Sequence, residues 1–412
     1  VINKDNEGGP VLSLFYTFYA MLKKLVNNTI VRLISGVIIG LLVGPYLNDI
    51  LLQVILSTKH ILGQLILFLV PLIILGFIVS SIAKLDQKSS VIIGFSLAIA
   101  YISSVGAGLF SGSLGYTILP WLDIPSTAAT GRALPEMLFK LDIPPIFDVM
   151  TSLVLALMIG LGILWTQSKP LEIAFDHFKE IVLLLVNRVL VPLLPLYIAC
   201  NFALLSYVGS IQSQLPIFLI VIIIVILAHI VWIAILYTIA GLYAKKNPWE
   251  VLRHYGPTYL TALGTMSSAA SLGVALQSAH KSKVLKPEIT NFTIPFFSNV
   301  HLCGAMVTET FFVMTVSLVL YGHLPDVSTL ILFVLLLGVF ALGAPGVPGG
   351  ALMASLGLIT SMLGFDDTGI ALVLTIFALQ DSFGTACNIV GDGALSLMAT
   401  AFHERQQKRE AQ

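Results

Sequence analysis

Two long stretches of this chain, residues 89–122 and 189–244, contain no Asp, Glu, Lys or Arg. A helix needs about 20 apolar residues to cross the hydrocarbon layer of a membrane, where every backbone N–H and C=O must be paired within its own segment. The second stretch is long enough for two crossings, separated by Ser210, Gln212 and Pro216. Residues 30–47, 61–82, 149–165, 289–320 and 370–403 meet the same test, which predicts about eight spans. Only 10% of residues are charged and 57% are apolar, against roughly a quarter charged in a soluble domain. A water-soluble globule is excluded, and no polar half is left to fold separately. The net charge of zero carries no nucleic-acid footprint. Cys200, Cys303 and Cys387 are too few and scattered for a disulfide framework or a zinc site. Residues 1–10 are polar and unlike a signal peptide, so the first apolar segment is expected to remain as a span.

Positive charge in short loops favours the cytoplasmic side. Lys23, Lys24 and Arg32 stand at the first span, Lys84 and Lys88 after the second, Lys169 and Lys179 after the fourth, and Lys245, Lys246 and Arg253 after the sixth. Asp326, Asp366 and Asp367 flank residues 327–365 with negative charge alone. The pattern alternates, so the amino terminus is expected inside, and Arg405, Lys408 and Arg409 place the carboxyl terminus there too. The expected organisation is a cytoplasmic segment 1–26, spans one to six over 27–255, a core over 256–404 and a cytoplasmic tail 405–412.

Two segments do not read as simple spans. Residues 256–280 carry Gly264, Thr265, Met266, Ser267, Ser268, Ala269, Ala270 and Ser271, with cytoplasmic charges at both flanks. Residues 327–365, with both flanks outside, are broken by Gly343, Pro345, Gly346, Pro348, Gly349 and Gly350. Each is expected to enter the membrane and return, from opposite sides. Paired, interrupted segments of this kind mark a solute site near the midplane, where half-helix ends and unwound carbonyls coordinate solute and ion. The plainer alternative is a small-residue packing surface at 256–280 and a loop at 341–350.

Asp381, Asn388 and Asp392 lie within the last apolar run, where a polar group is expensive and points to function. At about 100° per residue, positions i, i+7 and i+11 share one helix face, with Thr385 at i+4 beside them. A structural network between helices would produce the same stripe. His301 is deep in the run Asn299-Val300-His301-Leu302-Cys303-Gly304-Ala305, either as a structural group or as a proton carrier. His229 has no polar companions in sequence and reads as structural; Glu309 need not share a face with His301, and its role is open.

These residues resemble the dicarboxylate/amino acid:cation symporter family, the glutamate transporter homologues, over nearly the whole chain. Ser267-Ser268-Ala269-Ala270 is similar to the family's serine-rich hairpin tip, and Gly343-Ala344-Pro345-Gly346-Val347-Pro348-Gly349 to its second, gate-forming hairpin. The family's last span has Asp, then Arg three residues on, Asn at seven and Asp at eleven; here stand Asp381, Gly384, Asn388 and Asp392. The resemblance implies an all-α elevator-type membrane transporter of eight spans and two opposed re-entrant hairpins. It implies a homotrimer in the cell membrane, with spans one, two, four and five as scaffold and spans three and six travelling with the transport core. Ser267, Ser268, Gly346, Val347, Asp381, Thr385 and Asn388 would bind substrate, with Asp381 on an amino group and Asn388 on a carboxylate. Asp392, Asn388, Ser103 and Ser104 would offer oxygens to sodium.

The departures define the substrate expectation. Gly384 and Met266 stand where the family places arginines, so a small neutral amino acid such as serine, threonine or alanine is expected, with a C4-dicarboxylate or acidic amino acid as the alternative. The family's Asn-Met-Asp-Gly-Thr is His301-Leu302-Cys303-Gly304-Ala305 here, replacing the sodium-binding Asp with Cys303 and suggesting a proton at His301 for one lost sodium. The implied partners are the solute, membrane lipid and the coupling Na⁺ or H⁺, with no cofactor, nucleic acid or enzymatic step. An intramembrane protease is the rival from another class, because Ser, His and Asp all occur in apolar segments. Asp381 and Asp392 would lie roughly 16 Å apart along one helix, too far for an aspartyl pair, and no Gly-x-Ser-x-Gly surrounds Ser267 or Ser268.

Overall fold

The computed structural model describes residues 29–83, 90–122, 134–147, 149–209, 211–344 and 349–410. Among the described residues the structure is all helix and loop, without strands. The helices are α1 (Thr29–Val43), α2 (Asp49–Ala83), α3 (Ser90–Ile118), α4 (Val149–Thr166), α5 (Lys169–Leu185), α6 (Val191–Val208) and α7 (Ile211–Ala244). After a single turn at Trp249–Leu252 come α8 (Gly256–Thr265), α9 (Ser268–His280), α10 (Pro287–Val300), α11 (Cys303–Val316), α12 (Val327–Ala341), α13 (Gly350–Leu363) and α14 (Asp367–Glu410). Among the described residues, five segments are long and apolar enough to cross a membrane, one of them the α10–α11 pair counted together, and five shorter helices are also apolar. This is a multi-pass membrane protein.

Small residues set the closest helix crossings. Gly36, Gly40 and Gly44 recur every fourth position along α1 and its end, and a Cβ on each would lie 2.5 Å from the carbonyl oxygens of Pro195, Ala199 and Ala203. The stripe lets the backbones of α1 and α6 touch, as small-xxx-small faces do in membranes without a hydrophobic drive between helices. α2 packs on α4, α5 and α6. The loop expected around Lys169 and Lys179 is instead α5, an amphipathic helix tied to α2 by Ser80 Oγ donating to Asp176 Oδ1 at 2.6 Å.

The second half of the chain assembles around α14. Helices α3, α7, α8, α9, α10, α11 and α13 all pack against it. The most apolar stretches of α10–α11 and of α14 are almost wholly buried, whereas that of α7 is mostly exposed, so the polar residues sit on the inner elements and α7 turns most of its surface outward. Both interrupted segments fold as helical hairpins. The first turns at Met266, whose φ of 50° is left-handed, into Ser267, the cap of α9. The second runs from α12 to α13, entering α13 through Gly349 at φ 74°. Gly346 and Val347, expected to touch substrate, lie outside the described residues.

Candidate functional site

Helix α10 stops at Val300, and His301 and Leu302 leave helical geometry before α11 begins at Cys303. A break inside an apolar core frees amides that water cannot reach, and each must find a partner. Leu302 N–H donates to Ser104 Oγ at 3.3 Å, and Gly304 and Ala305 N–H donate to Asn388 Oδ1 at 2.7 and 3.2 Å. Asn388 thus caps α11 from a neighbouring helix. With Oδ1 committed, its Nδ2 amide remains to donate.

Seven residues earlier on α14, Asp381 Oδ2 accepts the Gly349 N–H at 2.6 Å, and Thr385 Oγ1 donates to Oδ1 at 3.5 Å. The carboxylate therefore rests at the amino-terminal end of α13, where the helix dipole favours negative charge. It is buried, and among the described residues no cation pairs with it. Asp381 touches the tip of the second hairpin and Asn388 the helix break, so the stripe read from the sequence joins two interrupted elements.

At the third polar position, Asp392 Oδ1 accepts from His301 Nδ1 at 2.9 Å, and His301 Nε2 is 2.9 Å from Ser103 Oγ. Because a carboxylate only accepts, Nδ1 carries a proton. His301 and Asp392 are fully enclosed, and Asp392 Oδ2 has no partner among the described residues. Gly391 makes the room: a Cβ there would lie 2.9 Å from His301 Cε1 and 3.1 Å from Cys303 Sγ.

In the first hairpin, Ser267 Oγ accepts the Ala270 N–H at 3.3 Å as an N-cap and Ser268 is buried, while α8 and α9 both pack on α14. The structure thus gathers Asp381, Thr385, Asn388, Asp392, His301, Ser103 and Ser104 on α14 and its immediate neighbours, with the serines on a hairpin packed against that helix. Sequence reasoning missed two groups. His229, expected to lack polar companions, has Nε2 3.0 Å from both the Gly304 carbonyl and Thr308 Oγ1. Glu309, buried on α11, accepts from Ser355 Oγ on α13. Both partners lie on other helices, so no spacing within one segment pointed to them.

The sodium:dicarboxylate symporter family matches residues 29–402. The chain belongs to that family. Excitatory amino acid transporter 1 of Ambystoma tigrinum is 26% identical over 60% of this chain and 46% of that protein. Excitatory amino acid transporter 1 of Mus musculus is 26% identical over 56% and 42%, and excitatory amino acid transporter 2 of Homo sapiens 25% over 58% and 41%. The matches thus span less than half the length of these relatives.

For a sodium:dicarboxylate symporter family member, the environments of Gly384 and Met266 are telling. A Cβ on Gly304 would fall on the Gly384 carbonyl oxygen, and one on Gly384 would lie 3.3 Å from Thr308 Oγ1. Helices α11 and α14 therefore cross at a glycine pair where the family motif has a long cation. Met266 is buried, an apolar side chain at the hairpin tip.

Proposed function

We propose that this chain is a secondary active symporter importing a small neutral amino acid of the serine, threonine or alanine type on a cation gradient. The observation that carries the reading is Asp381: a buried carboxylate without a cationic neighbour among the described residues, three residues before Gly384, which brings no side chain to the site. A zwitterion supplies the ammonium that Asp381 lacks, and its carboxylate meets the Asn388 amide and the serine-rich tip at Ser267 and Ser268. A second acidic group on the solute would be desolvated without a partner, at a cost of several kcal/mol. The alternative, a C4-dicarboxylate or acidic amino acid, is favoured by the family's name and by the excitatory amino acid transporters it resembles.

The architecture in this reading has eight spans, two hairpins opening to opposite sides, cytoplasmic termini and a homotrimer. Helices α1, α2, α4, α5 and α6 form the scaffold; α3 and α7 to α14 move across it as a lift. The packing of α1 on α6, of α2 on α4, α5 and α6, and of α3 and α7 to α11 around α14 supports that division, with α13 of the second hairpin meeting α2 and α4 as well as α14. His301 carries the coupling proton, held between Ser103 and Asp392, with Cys303 beside it, the Tyr237 hydroxyl bonded to the Val390 carbonyl, and Tyr255 packed near Gly393. Serine, histidine and aspartate are connected here as in a hydrolase triad, but His301 and Asp392 are sealed from solvent and leave no approach for a peptide. Uptake into proteoliposomes across a panel of amino acids and dicarboxylates, with Na⁺ and pH gradients varied independently, tests the proposal. Uptake of serine or alanine without uptake of succinate or aspartate is the expected outcome.

A further inference from the structure

The family name implies sodium; the resemblance assigns a cation to Asp392, and Asn388, Ser103 and Ser104 are the side chains expected to add oxygens to it. The structure assigns those oxygens elsewhere: we infer that no alkali ion binds between α3, α11 and α14, because the His301 imidazole fills that place and holds the three helices together. A sodium ion takes a cage of hard oxygen atoms, often including carbonyls of broken helices. Each expected ligand is already engaged by the protein. Ser103 Oγ is 2.9 Å from His301 Nε2, and Asp392 Oδ1 is 2.9 Å from Nδ1. Ser104 Oγ accepts the Leu302 amide, and Asn388 Oδ1 accepts two amides of α11.

Of the side-chain oxygens of those four residues, the one left without a partner among the described residues is the buried Asp392 Oδ2. One free side-chain oxygen is too few to lead a cage. The residue that would complete it is Cys303, whose soft thiol is a poor ligand for a hard cation. That thiol is 3.9 Å from the Cys387 carbonyl oxygen and, with His301, packs close over Gly391 of α14. Where an ion would be mobile and exchangeable, a tethered ring bridges α3 to α14 through two hydrogen bonds. Gly391 fits the same account, since any side chain there would push into the ring. This inference deepens the symport reading, in that the gradient driving the carrier would count one sodium fewer than the family pattern provides for.

The test uses the full chain and thallium as a heavy stand-in for the alkali ion. Crystals of the wild type soaked in a thallium salt should show no anomalous peak among Ser103, Ser104 and Asp392. A double variant, His301→Asn with Cys303→Asp, rebuilds the family pattern and should gain one. A wild-type peak at that place overturns the inference, and so does a folded double variant without a peak. Should the double variant fail to fold, thermal unfolding in sodium chloride against choline chloride decides. The sodium-dependent shift in Tm should be the same for wild type and Asp392→Asn, and its loss in the variant would overturn the inference. Neither readout uses substrate, so failure of symport, seen as absent uptake by the wild type, remains separable.

Discussion

At the residue scale, Asp381 and Asn388 on one face of α14 and His301 at the break before α11 each have a different job. Asp381 is set against the amide that opens α13, and replacing it by Ala should abolish amino acid uptake while leaving the fold intact, because its loss removes the bonds from the Gly349 amide and the Thr385 hydroxyl rather than a packing contact. Uptake by Asp381→Ala at wild-type rate would remove it from the site. Asn388 differs, since it satisfies two buried amides at the helix break. An orphaned buried donor costs about 1–3 kcal/mol, so Asn388→Ala should lower thermal stability as well as transport, and a variant with an unaltered Tm would contradict the capping role. His301 is expected to pass a proton. An imposed inward pH gradient without sodium should drive uptake in the wild type, and His301→Ala should lose that component; uptake indifferent to pH would return His301 to a structural role.

At the scale of elements, the breaks matter more than the spans. Gly and Pro in residues 343–350, and the serine run after Thr265, made both hairpins legible in the sequence, because such residues cannot be spent in a lipid-facing helix without a reason. The stripe Asp381, Asn388, Asp392 was legible for the same reason, as period and polarity agree along one segment. The pairings between segments were not. That His229 meets Gly304 and Thr308, that Glu309 meets Ser355, and that His301 bridges Ser103 to Asp392 depend on helix crossings that no single-segment periodicity contains. The glycine stripe of α1 yields a further prediction. Gly40→Leu should destabilise the α1–α6 pair by about 1–3 kcal/mol through overpacking, since even a Cβ would lie 2.5 Å from the Ala199 carbonyl oxygen. Thermal unfolding of the purified variant against the wild type measures it, and an unchanged Tm would contradict so close an approach.

At the scale of the whole molecule, a carrier must present one site to two sides in turn. The proposed carrier would use a first hairpin packed on α14, a second that meets α14 through α13, and a broken helix capped by α14. The proposed topology places the end of the first hairpin in the cytoplasm, so a cysteine introduced at Lys281 should react with a membrane-impermeant thiol reagent only from the inside. Labelling from outside alone would reverse the topology.

Asp381, without a cationic neighbour among the described residues, is proposed to make this a carrier of small zwitterions, and counterflow in proteoliposomes reads that directly. Vesicles loaded with unlabelled serine or alanine should accumulate the same labelled amino acid, while succinate and aspartate on either side should support no exchange. Tight, saturable exchange of aspartate or succinate by the wild-type protein would contradict the account.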